Sequence, residues 1–316
     1  MNAVPRRSPA PLSDLFVDTT QANEAFRRID ELMDHGWEAQ YCKALLLFGP
    51  TRSGKSFMVD QYIRRLKSSR TWDERCLLPV VLVEVPAKCT LKSFASEVLH
   101  ALQHPDFDSG TLTIKTTRIA ETIGSNGVRL LVVDEVQRLI DVDTDKVQHD
   151  VSTWLTAFLN KRVCPLLLVG EPRAVELFDG NYIRGRTMGE VRVGAYDWAD
   201  RTERDEFRHF LFGLDANLGL PEPSGLHADL AYPIHQHAQG LLGLAAQLVS
   251  QARLVAWRLE RPKLTLDLFA EAVDMLGIGE KKGLPNPFRD ALDDPRTTEE
   301  QVAAVMAKGS RRRTKR

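Results

Sequence analysis

The sequence predicts an α/β chain: a parallel sheet flanked by helices, followed by a C-terminal helical lid. Three observations carry this. Short runs that are apolar throughout, such as Leu45-Leu46-Leu47 and Leu131-Val132-Val133, alternate with segments of helical period. Strands without polar alternation are those buried on both faces, as in parallel sheets. A glycine-rich loop joins the first such run to a helix, and beyond residue 197 only helical periodicity remains.

Residues 1–12 are rich in Pro, Arg and Ser, lack apolar periodicity and predict a flexible arm. Ala22, Phe26, Ile29, Leu32 and Met33 then recur at helical spacing, with Gly36 placed to stop the run. A strand over 44–48 ends in Gly49-Pro50, and a helix over 55–67 follows. Strands are expected at 79–85, 128–133 and 165–169, with helices at 91–102 and 151–159 between them. The lid helices fall at 201–214, 228–239, 242–259 and 266–276. This divides the chain into an arm (1–12), an α/β nucleotide-binding domain (13–196), a helical lid (197–276) and a polar extension (277–316). No internal repeat interrupts that order.

With 316 residues, 43% hydrophobic and 27% charged, the composition excludes a disordered chain and leaves room for substantial cores. The start has two arginines but no apolar stretch behind them, and no run is long enough to cross a bilayer, so a cytoplasmic protein without a membrane partner is expected. Cys42, Cys76, Cys89 and Cys164 are widely spaced and predict buried thiols rather than a zinc site. The net charge of −1 hides an asymmetry: residues 308–316 carry six positive charges and no negative one. Such an arm suits phosphates, an acidic protein surface or simple solvation.

The chemistry concentrates at two strand ends. Gly49-Pro50-Thr51-Arg52-Ser53-Gly54-Lys55-Ser56 fits G-x-x-x-x-G-K-[ST] at every fixed position, between a strand and a helix. In such a loop backbone N–H groups curl around phosphates, the lysine (Lys55) pairs with β/γ oxygens, and the hydroxyl of Ser56 ligates Mg²⁺. Residues 49–57, through Phe57, therefore form the expected ATP-binding stretch. Asp134, at the end of its strand, is expected to hold Mg²⁺, and Glu135 to polarise the attacking water as general base. After the next strand, Glu171 or a backbone group stands where many ATPases sense the γ-phosphate. Arg184 and Arg186 follow the last core strand and are candidates to act on a neighbouring subunit's nucleotide.

The order of GPTRSGKS, LLVVDEVQRL, CPLLLVGEPRAVELF and Ile183-Arg184-Gly185-Arg186 with Tyr196-Asp197-Trp198 resembles the TniB/TnsC family of AAA+ transposition ATPases, relatives of the phage Mu target-selection ATPase. The segment 237–248, with Gly240 and Gly243, resembles that family's lid-helix start. The similarity spans about residues 16–276. It implies an AAA+ P-loop NTPase fold and a regulatory ATPase, whose hydrolysis is expected to be slow because Glu171 stands where the family often has a hydroxyl residue. Its subunits would assemble as a ring or helical filament on duplex DNA, select a target, and recruit or activate a transposase. It favours Arg186 over Arg184 as the arginine acting in trans. Sequence-independent backbone contacts are expected from Lys88, Lys92, Lys115 and Arg118. This chain departs from the family at Glu171, where a hydroxyl residue is common, and at Thr187, where an aromatic is expected.

Two function classes follow. One is a DNA-associated transposition regulator whose output is assembly. The other is a signalling or protein-remodelling AAA+ ATPase that does not bind DNA. The absence of an aromatic pore-loop motif and of an appended sensor domain favours the first.

Overall fold

The computed structural model describes residues 12, 15–68, 78–140, 145–178, 181–276 and 286–289. The arm and the basic tail anticipated from sequence fall almost wholly outside these residues. The chain divides into two compact units, Asp18–Gly194 and a second formed by Met1–Val17 with Ala195–Arg316.

The first unit follows the apolar pattern. Helix α1 (Thr20–His35) is capped by Thr19, whose hydroxyl accepts from the Ala22 amide at 3.2 Å, and it buries the face carrying Ala22, Phe26, Ile29 and Leu32. Strand β1 (Ala44–Phe48) leads into α2 (Lys55–Ser68), β2 (Val80–Glu84) and α3 (Leu91–Ala101). Helix α4 (Leu112–Asn126) precedes β3 (Leu130–Asp134), and α5 (Asp145–Asn160) precedes β4 (Leu166–Gly170). A single helical turn, α6 (Asn181–Arg184), ends at β5 (Thr187–Arg192). The sheet is parallel, in the order β2-β3-β4-β1-β5.

Every residue of β3 and β4 is buried. Leu45, Leu46 and Leu47 of β1 are at most 1% exposed, and full burial of one such side chain contributes about 1.5–3 kcal/mol. The edges differ. On β2, Val81 and Val83 are buried while Leu82 and Glu84 face out, the alternation of a half-covered strand.

Besides the single turn α6, two elements carry no plain apolar signature in the sequence. Strand β5 pairs with β1 from Ala44↔Thr187 to Phe48↔Arg192, so Arg186 precedes a fifth strand rather than following the last one. Its sequence, TMGEVR, alternates polar and apolar and contains a glycine, as an edge strand can. Helix α4 is rich in β-branched residues, which are weak helix formers. It is nevertheless closed at both ends, by the Thr111 side chain and by Gly127 in the left-handed conformation (φ 67°).

Helix α4 also corrects an expectation. Lys115 is not a surface charge but a buried side chain at 0% exposure. It shares the buried face with Ile119 and Ile123, and its Nζ donates to Ser96 Oγ (2.7 Å) and to the Phe107 carbonyl (2.8 Å). With no exposed surface and its ammonium turned inward to Ser96 and Phe107, Lys115 cannot reach a DNA backbone.

The second unit is helical: α7 (Arg201–Asp215), α8 (Ala231–Ala238), α9 (Leu242–Arg258) and α10 (Leu266–Leu276). Its core gathers Phe207, Leu211, Ile234, Leu248, Val249 and Phe269, with Leu15 and Val17 packed alongside. The segment before α1 thus belongs to this unit, where the sequence analysis had placed it with the α/β domain. His235 lies among Trp198 and Phe207 with Nε2 2.7 Å from the Tyr196 carbonyl, and burial pushes its pKa down. No helix among the described residues is long and apolar enough to cross a membrane.

Lys115→Met keeps the apolar stem but leaves the Phe107 carbonyl without its donor. The expected loss is about 1–3 kcal/mol in urea unfolding; a change below about 0.5 kcal/mol would show that the buried ammonium has no structural role.

Candidate nucleotide site

The register of the sheet decides which residues meet. Phe48 pairs with Gly170, Val133 with Leu168 and Glu84 with Asp134. The chain therefore leaves β1, β3 and β4 at one edge, delivering Gly49, Asp134-Glu135 and Glu171 to neighbouring positions.

The loop after β1 is tightly specified. The Gly49 amide donates to the Gly170 carbonyl at 3.2 Å, and a Cβ at Gly49 would lie 1.9 Å from the Val193 carbonyl oxygen. Only glycine fits there. Arg52 (φ 64°) and Gly54 (φ 102°) take left-handed backbone, which curls the loop back before α2 begins at Lys55.

Lys55 is 6% exposed, and its Nζ donates to the carbonyls of Gly49 (2.8 Å) and Pro50 (2.9 Å). Burial pushes its pKa down, while the fields of Asp134, Glu135 and Glu171 pull it back up. The Ser53 hydroxyl is buried with no hydrogen-bond partner. A curled loop at a helix N-terminus, holding a buried ammonium and an unmatched hydroxyl, fits an anionic phosphate group. Ser56 is exposed beside it on the first turn of α2.

Across from the loop, Asp134 is 8% exposed and its Oδ1 accepts from the Glu135 amide at 2.8 Å. With Ser56 it supplies the hard oxygen donors that suit Mg²⁺, which is bound through few protein ligands and several waters. Bound Mg·ATP would supply the transferable phosphoryl group and the cation that offsets its charge. Glu135 is held in the left-handed region (φ 58°, ψ 35°), a conformation that costs a non-glycine residue about 1–2 kcal/mol. Its Oε2 accepts from Gln137 Nε2 (2.9 Å) and faces Arg138 Nη2 (3.2 Å). Arg138 is anchored in turn by Glu84 Oε1 (2.8 Å) and the Val85 carbonyl (2.7 Å).

The family model for the bacterial TniB protein matches residues 11–181. The chain belongs to the TniB family. Comparison with curated proteins gives no match. Among solved structures it is similar to the Aeropyrum pernix ORC1 protein in complex with DNA, at TM-score 0.61 and 19% identity, over 82% of this chain and 66% of that one. The Aeropyrum pernix ORC2 protein in its ADPNP–ADP complexes matches at TM-score 0.61 and 15% identity, over 92% of this chain and 74% of that one. The Thermotoga maritima RuvB Holliday junction branch migration motor matches at TM-score 0.50 and 14% identity, over 85% and 73% respectively. These likenesses are of fold: the TniB-family chain has the AAA+ P-loop architecture. It spans about two thirds of the ORC1 chain.

The other candidates are distributed differently. Arg186 stands at the start of β5, where its carbonyl accepts from the Ala44 amide. It lies at the opposite edge of the sheet from Gly49, about 16 Å away along a five-residue strand. Its guanidinium sits over the Tyr41 ring and bonds to Asn160 Oδ1, so within one TniB-family chain it is not brought to the P-loop. Arg184 is exposed and donates to the Phe178 carbonyl. Arg118 Nη1 is engaged by the Asp106 and Ser109 carbonyls and by Ser109 Oγ. Lys88 and Lys92 are exposed beyond the end of β2.

Sequence reasoning missed the groups that link the site. Thr51 Oγ1 donates to Glu171 Oε1 (2.5 Å), and the Glu171 amide donates to Gln137 Oε1 (3.0 Å). Gln137 and Arg138 stand next to the catalytic-type carboxylates in the motif, but only the left-handed turn at Glu135 brings their side chains back onto it.

Glu135→Gln is expected to leave the affinity for a Mg·ATP analogue within about 2-fold while lowering turnover about 10²–10⁴-fold. Calorimetry alongside phosphate release checks this. Equal turnover in the two proteins would remove Glu135 from the base role.

Proposed function

We propose that this chain is an ATP-dependent regulator of transposition. Subunits loaded with Mg·ATP assemble into a ring or filament on duplex DNA in the cytoplasm, select a target site there, and recruit or activate a transposase. The observation that carries the reading is the convergence of Lys55, Ser53, Asp134 and Glu135 at the ends of neighbouring buried strands, within a TniB-family chain. The ORC1 neighbour was solved with DNA, and the ORC2 neighbour with ADPNP and ADP. Both support a nucleotide-loaded, DNA-associated role for the shared fold.

Lys55 with the amides of the P-loop binds the phosphates, Ser56 and Asp134 hold Mg²⁺, and Glu135 orients the attacking water. Slow, regulatory hydrolysis is supported by Glu171, an acid that follows β4 where a hydroxyl residue is common in the family. Arg186 acts across the subunit boundary, on a neighbour's nucleotide, since it lies at the far edge of its own sheet. Hydrolysis is then coupled to assembly, because a lone subunit lacks that arginine at its site.

DNA is engaged through phosphates, so binding is insensitive to sequence and sensitive to salt. Lys88 and Lys92 remain the exposed candidates, with the basic segment 308–316 as a further contact for DNA or a protein partner.

Sedimentation and electron microscopy with duplex DNA and a non-hydrolysable ATP analogue, ADP or no nucleotide test the proposal. Analogue-dependent assemblies on DNA are expected. In Lys88→Ala/Lys92→Ala the slope of log K against log salt should fall in magnitude by about 2. A protein that binds the analogue yet stays off DNA at low salt in every nucleotide state would contradict the DNA role and favour a signalling or remodelling ATPase.

A further inference from the structure

The Gln137 side chain is 5% exposed and is used at both ends. Its Oε1 accepts from the Glu171 backbone amide at 3.0 Å, and its Nε2 donates to Glu135 Oε2 at 2.9 Å. The orientation of the amide is fixed chemically. A backbone N–H can only donate, so the carboxamide oxygen must face Glu171 and the nitrogen must face the carboxylate. The surroundings are shaped for this side chain. A Cβ on Gly170 would lie 2.6 Å from Gln137 Oε1 and 3.0 Å from both Ala174 Cβ and Val136 Cγ1, so glycine at 170 leaves the space the carboxamide occupies. Gly170 also accepts from the Gly49 amide, and Thr51 of the P-loop donates to the Glu171 carboxylate. A continuous hydrogen-bonded path thus runs from the phosphate loop through Glu171 and Gln137 to Glu135.

We propose that Gln137 is a positioning residue for hydrolysis, holding Glu135 by its Oε2 from the rigid end of β4 so that Oε1 takes the proton from the attacking water. This rests on the hydrolytic reading of the site given above and names the group that sets the geometry of its base. Both contacts to Glu135, from Gln137 and from Arg138, fall on Oε2. In the step itself the water oxygen bonds to the γ-phosphorus and the bond to the bridging oxygen breaks. Its electron pair leaves with ADP, and the water proton passes to Glu135 Oε1. Because Gln137 is fixed by the residue that also receives Thr51, the position of the base is tied to the P-loop.

Gln137→Glu separates this role from a merely structural one. The introduced carboxylate still accepts from the Glu171 amide, so the loop after β4 keeps its partner, but the donor to Glu135 is lost. The expected result is a kcat about 10–100-fold below wild type, the range typical for loss of an outer hydrogen-bond partner. KM and affinity for a Mg·ATP analogue should stay close to wild type, while Tm falls at about pH 8, where the buried introduced carboxylate faces that of Glu135, and recovers as one of the two is protonated. The deficit should narrow as pH falls from about 8 to about 6, because protonation of the introduced carboxyl restores a donor. Gln137→Met, of similar volume and without a donor, should show the same loss of kcat without the recovery in acid. A kcat for Gln137→Glu within about 3-fold of wild type overturns the proposal. So does a parallel fall of kcat, nucleotide affinity and Tm in both variants, since that marks a structural residue. Glu135→Gln and Lys55→Ala serve as controls. Wild-type turnover no higher than that of Glu135→Gln means that the hydrolytic reading itself has failed, and the role of Gln137 falls with it.

Discussion

Strands β1, β3 and β4 are buried along almost their whole length, and their parallel pairing stops all three at one edge. A polar side chain inside these strands would lose its hydration without compensation, at a cost of several kcal/mol. The first positions free of that constraint are the residues at and after the strand ends. Gly49, Asp134, Glu135 and Glu171 occupy them. Parallel register turns that restriction into a site, since residues far apart in the chain become neighbours along one edge.

What happens at that edge depends on two local departures from ordinary backbone. Gly49 sits where a side chain would enter the Val193 carbonyl, and so the loop can fold tightly over the end of the sheet. Glu135 adopts a left-handed conformation that turns the chain back, so that Gln137 and Arg138 reach its carboxylate. Both features oppose folding locally, and both are outweighed by burial of the strands they follow. The charges are balanced in the same region: the ammonium of Lys55 is kept from solvent, and the nearby carboxylates counter the cost of its burial.

The central part of this arrangement was legible in the sequence. Phosphate chemistry restricts the residue types in 49–56 so strongly that the loop can be recognised by itself, and the runs around Leu46, Val132 and Leu168 show only one kind of environment. The lid helices were legible for a similar reason, with Phe207, Leu211 and Leu214 marking one face of α7. Helix α4 was not, because threonines and isoleucines obscure its propensity. Its caps at Thr111 and Gly127 held the information, and with the helix in place Lys115 falls four and eight residues before Ile119 and Ile123, on the buried face. Lys115 was misjudged because a lysine in isolation is a surface residue. Strand β5 is an edge strand with a glycine and alternating polarity, which resembles a loop in sequence. Locating it moved Arg186 to the far edge of the sheet. The roles of Gln137 and Thr51 depend on side-chain geometry across strands and leave no mark in composition or spacing.

The account stands on the strand ends forming a nucleotide site, and titration calorimetry of the wild-type protein and Lys55→Ala with a Mg·ATP analogue tests that most directly. One analogue bound per wild-type chain, with affinity reduced at least about 10-fold in a Lys55→Ala chain that still unfolds cooperatively, is the expected result. Equal affinity in the two proteins, or no binding to a folded wild-type chain at millimolar analogue, on the order of −4 kcal/mol, would contradict it.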